Sequence, residues 1–167
     1  LNNGIEIFGI ESVRPTINSY MFADAKAISK ISYMNNDIEN GEKYEMKANE
    51  IKNEIQRALW NEELNFFTVL PKDYDKTTKP LDVRELIGFV PWYFNLPDDE
   101  AKYAAAWNKI MDTTGFYAPV GLTVVEQSDP YFKISYEGHE CQWNGPSWPF
   151  ATTQTLKALA NFLNNYS

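Results

Sequence analysis

The sequence predicts an α-dominated fold of antiparallel helical hairpins, with short strands in the loops. Two long segments, 15–34 and 42–60, carry apolar residues at helical spacing and are separated by a short polar loop. Two helices of similar length joined in this way form an αα-hairpin. A third helical pattern covers residues 151–163, close to the end of the chain. These patterns together favour packed helices over a sheet.

The composition is typical of a globular domain and argues against some classes of partner. Its 167 residues suffice for one domain with a core of its own, and 44% of them are hydrophobic. The net charge is −8 and no basic cluster occurs, which argues against a nucleic-acid surface or a membrane face. Aromatic residues make up 15% of the chain. Such a surplus is compatible with a ligand groove as well as a core.

The first predicted helix begins at Pro15, since proline favours the first helical turn. The pattern ends at the polar residues 35–37, and Asn40-Gly41 is predicted to be the next turn. The apolar stripe on this helix is amphipathic and is predicted to face the core; it consists of Ile17, Tyr20, Met21, Ala25, Ile28 and Ile31. The second helix carries alternating charges on its outer face, which indicates a solvated surface.

The middle of the chain is less regular. A short strand is predicted within residues 65–70, a short helix near 82–87 and a further helix after Pro97. Between the last two lies the aromatic segment 88–94, interrupted by Pro91. Two more short strands are predicted at 122–126 and 131–136. No linker or low-complexity tract divides these elements, so the chain is read as a single domain, 1–167.

The segment 143–150 is the strongest functional signal. It places two indoles, an amide, a glycine and two prolines directly before the last helix, where Gly145-Pro146 indicates a turn. The faces of Trp143 and Trp148 beside the amide of Asn144 suit a sugar ring, which has apolar C–H patches and a rim of hydroxyls. The alternative is that both indoles belong to the core and the prolines only punctuate helices.

Several short motifs in chain order resemble the six-hairpin (α/α)6-barrel glycoside hydrolases, especially the group of processing α-glucosidases and mannosylglycerate hydrolases. The motifs span nearly the whole chain: Asn3-Gly4-Ile5-Glu6, Arg14-Pro15-Thr16-Ile17-Asn18-Ser19-Tyr20-Met21, Ala58-Leu59-Trp60-Asn61, Phe66-Phe67, Glu85-Leu86-Ile87-Gly88-Phe89, Pro91-Trp92-Tyr93-Phe94, Gly121-Leu122-Thr123 and Trp143-Asn144-Gly145-Pro146-Ser147-Trp148-Pro149. The tryptophan motif is the most specific of them. The resemblance implies that the helical hairpins form part of a toroid.

The resemblance also implies a mechanism. Inverting glycosidases use one carboxylic acid to protonate the leaving oxygen and a second to activate water. Glu6 is the residue that best matches the family's acid, although glutamate replaces aspartate and Ile5 replaces an aromatic residue. The family's base follows the tryptophan-motif helix, in a segment with no counterpart before Ser167. The chain is therefore expected to be an incomplete fragment of a larger catalytic domain, and to be inactive alone.

The other candidate residues are expected to bind substrate or to support the site. Arg14 lies near the candidate acid in sequence, where it would bind substrate or form a salt bridge with Glu6. Trp92 and Tyr93 are expected to form a second wall of the pocket, with core packing as the alternative. Two further acids near aromatics and turns, Glu126 and Glu140, are candidates for binding sugar hydroxyls, or else ordinary surface acids.

These interpretations lead to two main hypotheses. The first is a glycosidase domain that hydrolyses a neutral oligosaccharide by inversion; the second is a non-catalytic carbohydrate-binding or helical scaffold domain. The third hypothesis is an α-toroid protein that acts on something other than sugars, such as a lyase or an isoprenoid cyclase. No cofactor is expected, and the presence of one histidine and one cysteine argues against a transition-metal site. Self-association through uncovered helix faces is expected. The compartment stays open, although a bacterial polysaccharide-degrading context would imply export to the periplasm or beyond.

Overall fold

The computed structural model describes residues 11–75, 77–135 and 142–167. Helices dominate it. The main ones are α1 (Pro15–Met34), α2 (Ile38–Leu59) and α5 (Pro149–Asn165), and the single-turn helices are α3 (Val90–Tyr93) and α4 (Ala101–Ala104). Short 3-10 helices at Leu86–Phe89 and Ala105–Lys109 precede α3 and follow α4. The predicted α-dominated fold is confirmed.

Within the described ranges, the strands are two residues long and pair antiparallel in three separate ribbons. They are β1 (Ser12–Val13) with β4 (Leu70–Pro71), β2 (Trp60–Asn61) with β3 (Phe66–Phe67), and β5 (Tyr117–Ala118) with β6 (Gly121–Leu122). The strand predicted within 65–70 is thus divided between β3 and β4. No strand forms within 131–135, the described part of the segment predicted at 131–136.

The first two helices form the predicted αα-hairpin, but α2 begins earlier than the sequence suggested. Asp37 caps it by accepting a hydrogen bond from the Asn40 backbone N–H at 3.2 Å. Gly41 consequently lies inside the helix, where a Cβ atom would approach Cε1 of Tyr33 to 2.5 Å. The glycine is needed for close packing of the two helices. Because it lies within α2, the prediction of a turn at this residue was wrong.

The face that α1 buries also differs from the prediction. Small residues at the contact allow α2 to approach closely, and the buried set is Pro15, Ser19, Phe22, Ala25 and Ser29. The two serines satisfy their hydroxyls by donating to backbone carbonyls, Ser19 to Pro15 at 2.7 Å and Ser29 to Gly41 at 2.8 Å. Of the predicted stripe only Ala25 is buried, whereas Ile17, Met21, Ile28 and Ile31 are exposed.

The core lies beneath the hairpin and is strongly aromatic. Phe66 and Phe67 from β3 contact Phe89, Trp92 and other rings at centroid separations of 4.9–5.8 Å. Trp107 joins this cluster through Phe89 and stacks on Phe162 of α5 at 5.2 Å. Aromatic pairs of this kind stabilise beyond their buried area. Much of the aromatic surplus therefore belongs to the core, which fixes α3 and α5 against each other.

Candidate functional site

A cleft of about 430 Å³ lies where the start of α1, the segment before α3 and the start of α5 meet. Its lining combines an indole and other apolar side chains with a few polar groups: Arg14, Thr16, Tyr20, Glu85, Ile87, Val124, Trp143, Phe150, Ala151 and Gln154. Ligand sites typically have this make-up, with an apolar wall and a small number of polar groups that fix orientation.

The tryptophan loop supplies one wall of the cleft. Trp143 lines it with 38% of its surface exposed, and its ring is nearly parallel to that of Trp148, at a centroid distance of 4.8 Å and an angle of 5°. Trp148 in turn donates its indole N–H to the Gln142 carbonyl at 2.7 Å. Because Trp148 covers one face of Trp143, the opposite face and the edge are available to a ligand. Trp148 does not itself line the cleft but packs against the core, so of the two predicted indoles only Trp143 presents a face to the cleft.

The loop is held by backbone contacts to the preceding segment. Asn144 is buried. Its side-chain amide donates to the Tyr131 carbonyl at 2.8 Å, and its backbone carbonyl accepts from the Lys133 N–H at 2.9 Å. Ser147 does not cap α5 but donates to the Leu122 carbonyl at 2.8 Å. The Asn144 side chain does not line the cleft, so it anchors the loop instead of presenting an amide to a sugar.

A hydrogen bond closes the side of the cleft between α1 and α5. Gln154 donates its side-chain amide to the Tyr20 hydroxyl at 2.6 Å. The Tyr20 ring packs edge-on against Phe94 at 4.9 Å. This pair fixes the two helices at the cleft and leaves the Tyr20 hydroxyl proton available to a ligand.

Arg14 lines the cleft, and its role in binding substrate or pairing with Glu6 stays a prediction. It is the residue immediately before α1, and its Nε donates to the Ser12 hydroxyl at 3.1 Å. Glu6, the candidate acid, lies outside the described residues, as do Glu140, His139 and Cys141. The roles assigned to Glu6 and Glu140 therefore stay predictions.

Three predicted site residues lie elsewhere. Trp92 is 0% exposed and packs in the aromatic core against Phe67 and Trp107, so it is not a wall of the cleft. Tyr93 is half-buried beside Phe94, and its ring does not line the cleft either. Glu126 forms a buried ion pair with Arg84 at 2.7 Å, which occupies the carboxylate that was expected to bind sugar hydroxyls.

Glu85 is a charged cleft residue that the sequence analysis did not assign to the site. Its backbone pairs with Val125 in an isolated antiparallel bridge, directly before the 3-10 helix. Burial raises the pKa of its carboxyl, and the Arg14 charge nearby offsets part of that effect. An ionisable group with a perturbed pKa in a cleft is a functional candidate. Glu85 stood in one of the quoted family motifs, but nothing local in the sequence showed that this segment ends beside Trp143.

The described residues hold no cluster of three or more histidine, cysteine, aspartate or glutamate side chains able to bind a metal ion. None of the helices in the described part of the chain has the length and apolarity needed to cross a bilayer.

A comparison with protein families identifies the class of domain. The sequence profile of the mannosylglycerate hydrolase MGH1-like glycoside hydrolase domain matches residues 5–167. A search of curated proteins finds no significant match. Among solved structures, a protein named sialidase superposes with a TM-score of 0.87 at 45% sequence identity, covering 95% of this chain and 14% of that protein.

Two further structures share the fold at low identity. The mannosylglycerate hydrolase of glycoside hydrolase family 63 from Thermus thermophilus, solved with glucose, has a TM-score of 0.72 at 16% identity, covering 92% of this chain and 36% of that one. The neutral trehalase of Saccharomyces cerevisiae has a TM-score of 0.68 at 16% identity, covering 90% and 28%. The chain thus spans about a third or less of each structure, and its helical hairpins correspond to part of a six-hairpin glycosidase toroid. The predicted resemblance is confirmed: this chain belongs to the mannosylglycerate hydrolase MGH1-like glycoside hydrolase domain family.

Proposed function

We propose that this chain forms one side of the active site of a glycoside hydrolase that cleaves a neutral oligosaccharide by inversion. The observation that carries the proposal is the cleft in which the exposed face of Trp143 stands beside Arg14 and Glu85. An indole provides the apolar surface on which a sugar ring stacks, and the charged groups provide partners for its hydroxyls. Family membership supports hydrolysis, and the cleft supports the binding of a sugar.

The proposed mechanism requires two carboxyl groups on opposite sides of the scissile bond, about 6.5–9.5 Å apart in inverting enzymes. We assign Glu6 as the general acid that protonates the leaving oxygen. The general base, which activates the attacking water, is proposed to come from a part of the parent enzyme outside this chain. The coverage of only 14–36% of the matched structures supports this division. The chain alone is then expected to bind sugars but not to hydrolyse them.

A neutral substrate is proposed because the cleft contains a carboxylate as well as a guanidinium. The matched structures carry names that refer to different glycosides, among them a sialidase and a trehalase. Sialic acid bears a carboxylate, which an ionised Glu85 would repel. The overall charge of −8 adds to this repulsion. Uncharged hexosides avoid both costs.

The proposal is tested by Trp143→Ala and Glu6→Gln. In this chain, Trp143→Ala should weaken the binding of methyl α-glucoside or methyl α-mannoside about tenfold or more, the usual value of one stacking contact. In the parent enzyme, Glu6→Gln should lower turnover about 10²- to 10⁴-fold. Aryl glycosides with good leaving groups should lose much less, because their departure needs no proton.

Two results would reject parts of the proposal. Unchanged binding by a folded Trp143→Ala variant would remove the indole from the site. Equal losses on good and poor leaving groups would remove Glu6 as the acid. Hydrolysis followed by NMR at the anomeric proton distinguishes inversion from retention, since the first product formed has the opposite configuration to the substrate in an inverting enzyme.

The exposed apolar face of α1 is proposed to be covered by other parts of the parent or, in the isolated chain, by a second copy. Ile17, Met21, Ile28 and Ile31 are all exposed and follow each other at helical spacing. A continuous apolar helix face is unfavourable in water and typical of a contact surface. Self-association of the isolated chain is the expected consequence.

A further inference from the structure

We infer that Glu85 and Arg14 together bind two adjacent hydroxyl groups of the sugar ring that stacks on Trp143. This inference rests on the proposed function, because it requires a sugar in the cleft. It adds a substrate-binding residue, Glu85, and a chemical criterion for the ligand, which must present a vicinal diol to the polar side of the cleft.

The backbone holds Glu85 in a fixed position. On one side of the bridge to Val125, the Leu86 N–H donates to the Val124 carbonyl at 2.8 Å; on the other side, the Glu126 N–H donates to the Arg84 carbonyl at 3.1 Å. A residue clamped between two such bonds loses little further backbone freedom when a ligand binds. Pre-organisation of this kind is what a binding residue needs.

The Glu85 carboxylate is available to a ligand. Among the residues that the structure describes, no side chain or backbone N–H donates a hydrogen bond to it, and no cation lies within ion-pair distance. Of the described residues, Arg14 and Asp129 act on the Glu85 carboxylate through charge at longer range, Arg14 by attraction and Asp129 by repulsion. A half-buried carboxylate without an internal donor is costly to the fold, and a ligand hydroxyl would supply the missing hydrogen bond.

The pairing of a carboxylate with a guanidinium selects hydroxyl groups. The carboxylate only accepts hydrogen bonds and the guanidinium only donates them, whereas a hydroxyl does both. Neighbouring hydroxyls on one ring can therefore donate to Glu85 and accept from Arg14 at the same time. A ligand carboxylate would satisfy Arg14 but would face Glu85 with a like charge, and an amine would show the reverse preference.

A stability measurement separates this role from a structural one. Burial disfavours the charged form of Glu85, so neutralising this residue should stabilise the folded chain near neutral pH. Loss of ligand binding together with a gain in stability is the expected signature of a binding residue. A residue that serves only the fold would show the opposite change in stability.

The experiment measures sugar binding and thermal stability of the 167-residue chain. Methyl α-glucoside, methyl α-mannoside and their monodeoxy analogues are titrated by ligand-observed NMR and tryptophan fluorescence. The variants are Glu85→Gln and Trp143→Ala, with Glu62→Gln as the matched exposed control. Glu85→Gln should weaken binding about 10- to 100-fold, as expected for a hydrogen bond to a charged group. It should also raise the melting temperature at pH 7, and Glu62→Gln should change neither quantity.

The deoxy analogues test the contact directly. An analogue without the hydroxyl that donates to Glu85 should bind the wild type and Glu85→Gln equally, since the contact is absent in both cases. If Glu85→Gln weakens the binding of every deoxy analogue by the same factor relative to the wild type, no particular hydroxyl contacts Glu85. That result would overturn the inference. A lower melting temperature together with lost binding would assign Glu85 to the fold and overturn it as well.

The remaining outcomes separate the two proposals. If Trp143→Ala abolishes binding while Glu85→Gln binds within twofold of the wild type, the diol inference fails and the sugar cleft stands. If the wild type binds none of these glycosides, or if neither variant changes binding, the cleft is not the sugar site and both fail. Tighter binding of N-acetylneuraminic acid than of the neutral glycosides would refute the selection of hydroxyls over a carboxylate.

Discussion

Replacement of Glu126 by alanine should destabilise the fold without affecting the binding of sugars. The Glu126 carboxylate accepts from Arg84 at 2.7 Å, and the two side chains are only 9% and 14% exposed. Arg84 also donates to the Leu64 carbonyl at 3.1 and 2.8 Å, which connects this ion pair to the turn between β2 and β3. The pair therefore joins three segments of the chain.

The magnitude follows from the burial of the partner that remains. Breaking a buried ion pair by removing one member costs about 3–5 kcal/mol, because the other charge is left uncompensated. The two bonds to Leu64 and the residual exposure of Arg84 favour the lower end, about 3 kcal/mol. At about 2–4 °C per kcal/mol for a domain of this size, the melting temperature should fall by about 6–12 °C.

The assay is thermal unfolding followed by circular dichroism, with Glu63→Ala as the control. Glu63 also forms an ion pair, with Lys79 at 2.8 Å, but those side chains are 70% and 80% exposed. Such a surface pair contributes about 0–1 kcal/mol. The control should shift the melting temperature by about 4 °C at most, and only its effect should depend strongly on salt, because water and ions screen exposed charges.

A change of less than about 2 °C for Glu126→Ala would refute the assignment of this ion pair to the fold. If Glu126→Ala has wild-type stability but no longer binds sugars, Glu126 is a substrate-binding residue and not a structural one. Equal shifts for Glu126→Ala and Glu63→Ala would show that burial does not distinguish the two pairs.

Three other predictions concern the loop, the cleft and the helix surface. Gly145→Ala should cost about 1–3 kcal/mol in thermal unfolding, because its Cβ would overlap the Lys133 carbonyl; a neutral effect would show that the loop can move. Glu85→Gln should be more stable than the wild type at pH 7, and the difference should disappear as the pH falls below the unfolded pKa of about 4, since its folded pKa is raised and the charged form carries the penalty; a constant difference across pH would contradict this. In sedimentation at increasing concentration, Ile28→Lys should abolish self-association while Asn53→Lys on α2 leaves it unchanged, and a wild-type chain that stays monomeric would refute the contact surface.

Much of the fold was predictable because its signals are local. Proline at the start of α1 and the polar residues after Met34 define that helix without tertiary information, and Pro149 does the same for α5. Which face of α1 is buried could not be predicted from such local signals. Periodicity identifies an apolar face, but Ser19 and Ser29 are buried because they allow close helix contact and find carbonyl acceptors, which are properties of the packed pair.

The site was predictable to the extent that its residues cluster in sequence. Trp143 and Trp148 lie in one short loop, but the stacking of their rings, which leaves only Trp143 on the cleft, is decided by the folded loop. Glu85 and Arg14 are 71 positions apart and reach one cleft only after the aromatic core has packed. Trp92 and Glu126 were assigned to the pocket on their residue type, and the core and Arg84 hold them instead.

By itself the sequence determined the helical class, the position of the hairpin and the tryptophan loop, because each depends on neighbours along the chain, and the order of its short motifs indicated the family. Only the tertiary structure decided which aromatic residues fill the core, which helix face is exposed and which carboxylate enters the cleft. Those outcomes depend on long-range packing, where the burial of one side chain is settled by partners tens of residues away. Glu85 and Glu126 are the same residue type, yet one lines the cleft with no hydrogen-bond partner among the described residues and the other is paired with Arg84.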